Sequence, residues 1–116
     1  MVKGTQREIS WIKVARKDFE GFPKAAQDEI RDVLSFAADG NMPEIVKPMK
    51  GLGSGVYEIA LRHQGDAYRT VYAVLIDEDL WVIHAFKKKS TTGIKTSKHE
   101  IDLIRTRIKK LKEVLS

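Results

Sequence analysis

Three runs of alternating residues, close together in the second half of the chain, constrain the fold more than any other feature. In the first, Val56–Arg62, the residues Tyr57, Ile59 and Leu61 fall on one side, and Glu58, Ala60 and Arg62 on the other. The second, Tyr68–Ile76, and the third, Leu80–Phe86, are rich in β-branched and aromatic side chains. Such residues favour a pleated, half-buried strand. The joints between the runs are short and polar, His63-Gln64-Gly65-Asp66 and Asp77-Glu78-Asp79. Strands joined so tightly are antiparallel neighbours, which predicts a meander. Parity places Arg69, Val71 and Ala73 on one face of the second strand, opposite Tyr68, Thr70 and Tyr72. In the third it groups Leu80, Val82, His84 and Phe86 against Trp81, Ile83, Ala85 and Lys87.

Helical patterns flank the meander. Residues 6–12 read as a short first strand or an extended lead-in. Trp11 to Glu20 suits a short helix with Val14, Ala15 and Phe19 inward, and Phe22-Pro23 marks a break. A longer helix follows, with Ala26, Ile30, Val33, Leu34 and Ala37 at helical spacing and Gly40 as a left-handed stop. Residues 40–55 carry Gly40, Pro43, Pro48, Gly51, Gly53 and Gly55, the composition of a connecting loop. The Gly-Leu-Gly-Ser-Gly within it follows no strand, opens no helix and lacks the ending of a phosphate loop. Lys87 to Thr96 reads as a basic loop. Ser97 to Glu100 then has the form of a capping box, ahead of a helix with Ile101, Ile104, Ile108, Leu111 and Leu115 on one stripe. The expected fold class is α+β: N-terminal helices, a three-to-four-stranded antiparallel sheet and a C-terminal helix, in one domain spanning 1–116. The helices are expected to cover one sheet face and leave the other partly open to a partner.

Charge is distributed unevenly. Residues 1–83 hold 11 Lys/Arg against 13 Asp/Glu, and residues 84–116 hold 10 against 3, giving the net charge of +5. A basic final third suits a polyanionic partner, nucleic acid or an acidic protein, or forms an ordinary solvated helix. There is no Cys, which removes disulfides and thiolate chemistry and fits a reducing compartment. With neither a signal-type segment nor a membrane-length apolar run, the expected localisation is cytoplasmic. The three His (His63, His84, His99) are scattered without metal-ligand spacing, and no serine-hydrolase motif occurs. No metal or cofactor is expected.

What remains is cationic. RNA can be cut without a metal when its own 2′-OH attacks the adjacent phosphate. A base must take the 2′-OH proton, cations must hold the phosphorane, and an acid must protonate the leaving 5′-oxygen. His84 suits acid–base work near neutral pH, though a histidine in an apolar strand equally suits a half-buried core position. Arg62 and Arg69, flanking one turn, suit a phosphate clamp or pairing with Glu58 and Asp66. Lys87, Lys88, Lys89, Lys95 and Lys98 suit an RNA backbone or plain solvent. Tyr57, Tyr68 and Tyr72 suit stacking on a base or are plain strand residues; Trp11 and Trp81 read as core.

Five segments in order carry a resemblance: Pro48-Met49-Lys50-Gly51-Leu52-Gly53, Val56-Tyr57-Glu58-Ile59, Tyr68-Arg69-Thr70-Val71-Tyr72, His84-Ala85-Phe86-Lys87-Lys88-Lys89-Ser90 and Lys95-Thr96-Ser97-Lys98-His99-Glu100-Ile101. From about Trp11 onward the chain resembles the RelE/ParE superfamily of type II toxin–antitoxin toxins, nearest to the phage-derived, HigB-like branch. The resemblance implies a RelE-like fold, metal-independent cleavage of messenger RNA in the ribosomal A site, and masking by a cognate antitoxin with a helix-turn-helix domain, through which alone operator DNA is met. It places weight on Arg69, Lys87, Lys88 and Phe86, with His84 and Arg62 next. The chain has Thr96-Ser97 where many relatives have Thr-Pro. Other members of the superfamily inhibit DNA gyrase rather than cut RNA, and a degenerate toxin would act only as a partner of antitoxin and DNA.

Overall fold

The alternating runs do form neighbouring strands. A computed structural model describes residues 7–74, 78–89 and 96–115. Its elements in chain order are β1 (Ile9–Trp11), α1 (Lys13–Phe19), α2 (Lys24–Ala38), β2 (Val46–Pro48), β3 (Val56–His63), β4 (Asp66–Ala73), β5 (Leu80–Lys89) and α3 (Lys98–Leu115). The β3–β4 joint closes over Gln64 and Gly65, both at positive φ (50° and 88°). That geometry matches the right-handed twist of a tight hairpin.

The sheet has five strands in the order β1-β5-β4-β3-β2. This exceeds the three-to-four expected from sequence, and it is mixed rather than wholly antiparallel. Residues 9–11 run parallel to β5, with Ile9 opposite Leu80 and Trp11 opposite Val82. The expected loop at 40–55 contains β2, whose Val46, Lys47 and Pro48 lie opposite Ile59, Glu58 and Tyr57. A three-residue edge strand ending in proline has too little alternation to announce itself, and an edge tolerates proline because one side of it pairs with nothing. The helix before the break begins at Lys13 rather than Trp11. Ala15 and Phe19 are buried as expected, whereas Val14 faces out. In α2 all five expected inward residues are buried, and Gly40 follows it at φ +94°.

Helices cover both faces of the sheet, contrary to the one-sided arrangement expected. On one face α1 and α2 bury Phe19, Ile30 and Leu34 against Ile59, Tyr72, Leu80 and Val82. On the other, Ile104, Ile108 and Leu111 of α3 pack on Val56, Val71, Ala73 and Ile83. Nothing in the pattern of residues sends α3 to the second face, because each stripe is apolar enough to serve either. Both faces are apolar at the β1 end of β5, so both need cover there.

Two features of β5 correct the reading of the basic segment. Lys87 and Lys88 belong to the strand, opposite Tyr68 and Ala67, instead of opening a loop. A bulge also interrupts the β4–β5 register: Val71 lies opposite His84, but Tyr72 lies opposite Val82. Ile83 is the extra residue, and an extra residue reverses side-chain parity beyond it. Ile83 and His84 therefore both face α3, while Ala85 joins the α1–α2 core. Simple alternation had put His84 with Leu80 and Val82.

Candidate functional site

Because opposed residues of an antiparallel pair share a face, the register orders the α3 side of the sheet into rows. Val56, Ala73 and Trp81 form one row, then Glu58, Val71 and His84, then Ala60, Arg69 and Phe86, and finally Arg62, Ala67 and Lys88. The first row lies under the apolar stripe of α3. From the second row onward the face turns polar and cationic. Arg62 and Arg69 are thus diagonal neighbours on one face, as their flanking of the turn suggested.

Arg69 is only 6% exposed. Its guanidinium ion-pairs with Glu58 at 3.4 Å and donates to Thr96 Oγ1 at 3.0 Å, and Thr96 in turn donates to Glu58 at 2.6 Å. A buried guanidinium requires such partners, since an uncompensated charge away from water is costly. The three residues tie β3 and β4 to the segment entering α3. Arg62, by contrast, is exposed at the sheet end.

His84 is 4% exposed, and both of its ring nitrogens are engaged. Nε2 lies 2.5 Å from Glu100 Oε1, and Nδ1 lies 2.9 Å from an Arg107 nitrogen that also donates to the Ile83 carbonyl at 3.1 Å. In this arrangement neither nitrogen faces a substrate directly. The Phe86 ring, half-buried, stacks on the imidazole with centroids 5.0 Å apart. Burial lowers the affinity of the Arg107 guanidinium for its proton, with Asp18 and Glu100 acting the other way.

Glu100 is the residue that sequence reasoning missed. By sequence it is only the third residue of a capping box. Its backbone N–H does donate to Ser97 Oγ at 3.3 Å, so the cap is real. Its carboxylate, however, turns to His84 and keeps about 25% of its side-chain surface exposed. The available signal was spacing: Glu100 and Arg107 stand seven residues apart, two helical turns, beside Ile104 and Ile108. Two charges bordering an inward stripe at that interval point toward the sheet.

The exposed part of Glu100 opens into a cleft of about 710 Å³. β1 pairs with β5 only as far as Val82, so the later edge of β5 forms one wall. Phe22 and Pro23 of the α1–α2 turn form a second, with Asp18 behind them, and His99, Glu100 and Leu103 of α3 form the third. Lys87 lies at the rim, 3.7 Å from Asp66. A smaller hollow of about 280 Å³ adjoins it, bounded by Phe86, Lys87, Lys88, Ser97 and Glu100. Glu100 thus faces both spaces among lysines, and a carboxylate in such a place can accept a proton while cations nearby hold an anion.

The remaining expected site residues separate. Tyr72 is corrected: it is 1% exposed, packs on Tyr57 with centroids 5.4 Å apart and lies inside the α1–α2 core. Burial, and secondarily Tyr57, pushes its phenol up to about 12. A ring so enclosed has no free face for a base. Lys98 stands exposed in the first turn of α3, paired with Asp102 at 3.0 Å, and that hydrogen bond holds the Asp102 carboxyl below its usual range. The Lys89 side chain and Lys95 lie outside the described residues. Trp11 and Trp81 pack against the two cores.

Residues 17–109 match the family described as "Phage derived protein Gp49-like (DUF891)". The fold is similar to that of the Escherichia coli RelE toxin. A free arginine double mutant of RelE is 20% identical with a TM-score of 0.62, covering 90% of this chain and 97% of that one. The isolated E. coli RelE toxin is 22% identical with a TM-score of 0.57, covering 86% and 97%. The toxin–antitoxin complex RelBE2 from Mycobacterium tuberculosis gives 16% and 0.50, covering 76% and 97%. No curated protein matches the chain significantly. The RelE-like fold implied by the sequence resemblance is therefore the fold observed.

Proposed function

The chain belongs to the Gp49-like family of phage-derived proteins, and on that premise we propose that it is the toxin of a type II toxin–antitoxin pair, HigB-like in kind, that cuts messenger RNA on the ribosome. The observation that carries this reading is Glu100: a carboxylate fixed by a buried histidine, opening into a cleft rimmed by lysines. The RelE fold supports it.

In the proposed reaction Glu100 takes the proton of a ribose 2′-OH. The freed oxygen attacks the adjacent phosphorus, and the bond from phosphorus to the 5′-oxygen breaks. The leaving oxygen takes a proton from the side chain of His99 on the cleft wall, which serves as the general acid. The products are a 2′,3′-cyclic phosphate and a 5′-hydroxyl. Lys87 and Lys88 neutralise the phosphorane oxygens, and Arg62 extends the cationic track along the RNA backbone. Phe86 offers a half-exposed ring to a base. Arg69 supports the site from beneath through Glu58 and Thr96. Side chains supply the proton acceptor and the compensating charge, so the chemistry needs no metal.

A toxin of this kind requires a cognate antitoxin. A toxin–antitoxin complex stands among the similar structures, and a small helix-turn-helix protein encoded beside this chain is the expected partner. The test is controlled expression without that partner, followed by primer extension on cellular messages. New 5′ ends inside translated regions, with growth arrest, are the expected result. Intact messages with a DNA-damage response would instead indicate a gyrase-directed toxin, and intact messages with normal growth an inert relative.

A further inference from the structure

Arg107 stands two turns after Glu100 on α3 and reaches back to β5. One of its nitrogens donates to the Ile83 carbonyl and meets His84 Nδ1 at 2.9 Å. Guanidinium nitrogens only donate, so Nδ1 must be the accepting nitrogen of the ring. The single ring proton then sits on Nε2, from which His84 donates to Glu100 Oε1 at 2.5 Å. Moving that proton to Nδ1 would set N–H against N–H on one side and a bare nitrogen against a carboxylate on the other. The β5 bulge makes the arrangement possible: Ile83 is the residue passed over in the register with β4, and His84 is thereby turned to α3.

We propose that Arg107 is a positioning residue that fixes His84 in its Nε2–H tautomer, so that Glu100 is held by a hydrogen bond and presented to the cleft as a carboxylate. Arg107 acts through His84, and His84 acts through Glu100: His84 lines the cleft, but both of its ring nitrogens are engaged. The tautomer follows from geometry alone, while its consequence for RNA cleavage rests on the proposed function. Arg107 itself is not among the residues that line the cleft, so loss of it leaves Lys87 and Lys88 in place to bind RNA.

The test reads the imidazole nitrogens of His84 by heteronuclear NMR in the purified wild type, Arg107→Lys and Arg107→Met, with His84→Gln to assign the signals. The wild type and Arg107→Lys, which keeps a donor, are expected to show the Nε2–H tautomer, and Arg107→Met a loss of that preference. In a ribosome-dependent cleavage assay Arg107→Met should lower kcat roughly 10–100-fold, the loss seen when a partner that orients a metal-ligating histidine is removed, with KM little changed and partial rescue in Arg107→Lys. An Nδ1–H tautomer in the wild type would overturn the proposal, even if Arg107→Met failed to fold. So would an unchanged tautomer and kcat in Arg107→Met. A wild type that holds the Nε2–H tautomer, with Arg107→Met losing it, but that cuts no message would sink the nuclease reading and uphold the positioning role.

Discussion

On the face covered by α1 and α2, the sheet is closed by large apolar side chains: Phe19, Ile30 and Leu34 on Ile59, Tyr72 and Leu80. On the face covered by α3, apolar packing stops at the row of Val71, which also buries His84, and the next row buries Arg69. One strand, β5, serves both faces and switches between them at its bulge. The comparison shows where a small domain can keep a reactive site. The dense face stabilises the fold without polar partners. The other face gives up apolar burial for a network in which every charge must be answered, because a buried polar group costs free energy unless it is bonded.

The largest expected effect lies on the dense face. Phe19→Ala should cost about 3–5 kcal/mol, as for other fully buried aromatic residues, read as the urea midpoint of unfolding. A loss under about 1 kcal/mol would mean that this face is not the stabilising one. The polar face breaks differently. Glu58→Ala leaves Arg69 facing a lost carboxylate and should cost about 3 kcal/mol, whereas Glu58→Leu with Arg69→Met should restore most of that stability. If the double variant were no better than the single, the pair would be more than a compensated burial. Ser97→Ala removes the cap of α3 and should cost about 1 kcal/mol, with little change in the midpoint of variants on the α1–α2 face.

The smallest effect concerns Tyr72. Its phenol titrates at about 12 in the folded chain against 10.0 ordinarily. The folded state therefore holds that proton more tightly. The stability gained is fully present below about pH 10 and is lost as pH rises through about 12. Ultraviolet titration should show a late tyrosine step that Tyr72→Phe removes. A titration unchanged in Tyr72→Phe at high pH would place Tyr72 outside the core.

Much of this architecture was legible in the sequence. The meander followed from strict alternation and short polar joints, α2 from five apolar residues at helical spacing, and the start of α3 from Ser97. What failed to show has a common cause. β2 is too short to express a period, and its partner β3 alone supplies its register. The bulge at Ile83 adds one residue without altering composition, yet it decides which way His84 points. Glu100 had a sufficient role as a capping residue, and nothing in one dimension says that its carboxylate meets a histidine sixteen positions earlier. Arg69 was visible as a cation, and Glu58 was foreseen as a partner, but Thr96 completes that network only once α3 crosses the sheet.

The central claim is that Glu100, held by His84, accepts the 2′-OH proton. The most direct measurement is single-turnover cleavage of a ribosome-bound message by the wild type and by Glu100→Gln, each shown by its melting curve to be folded. The account predicts a 2′,3′-cyclic phosphate end from the wild type and a fall in rate of about 10²–10⁴-fold in Glu100→Gln, the range expected for loss of a general base. Cleavage by Glu100→Gln at the wild-type rate would contradict it.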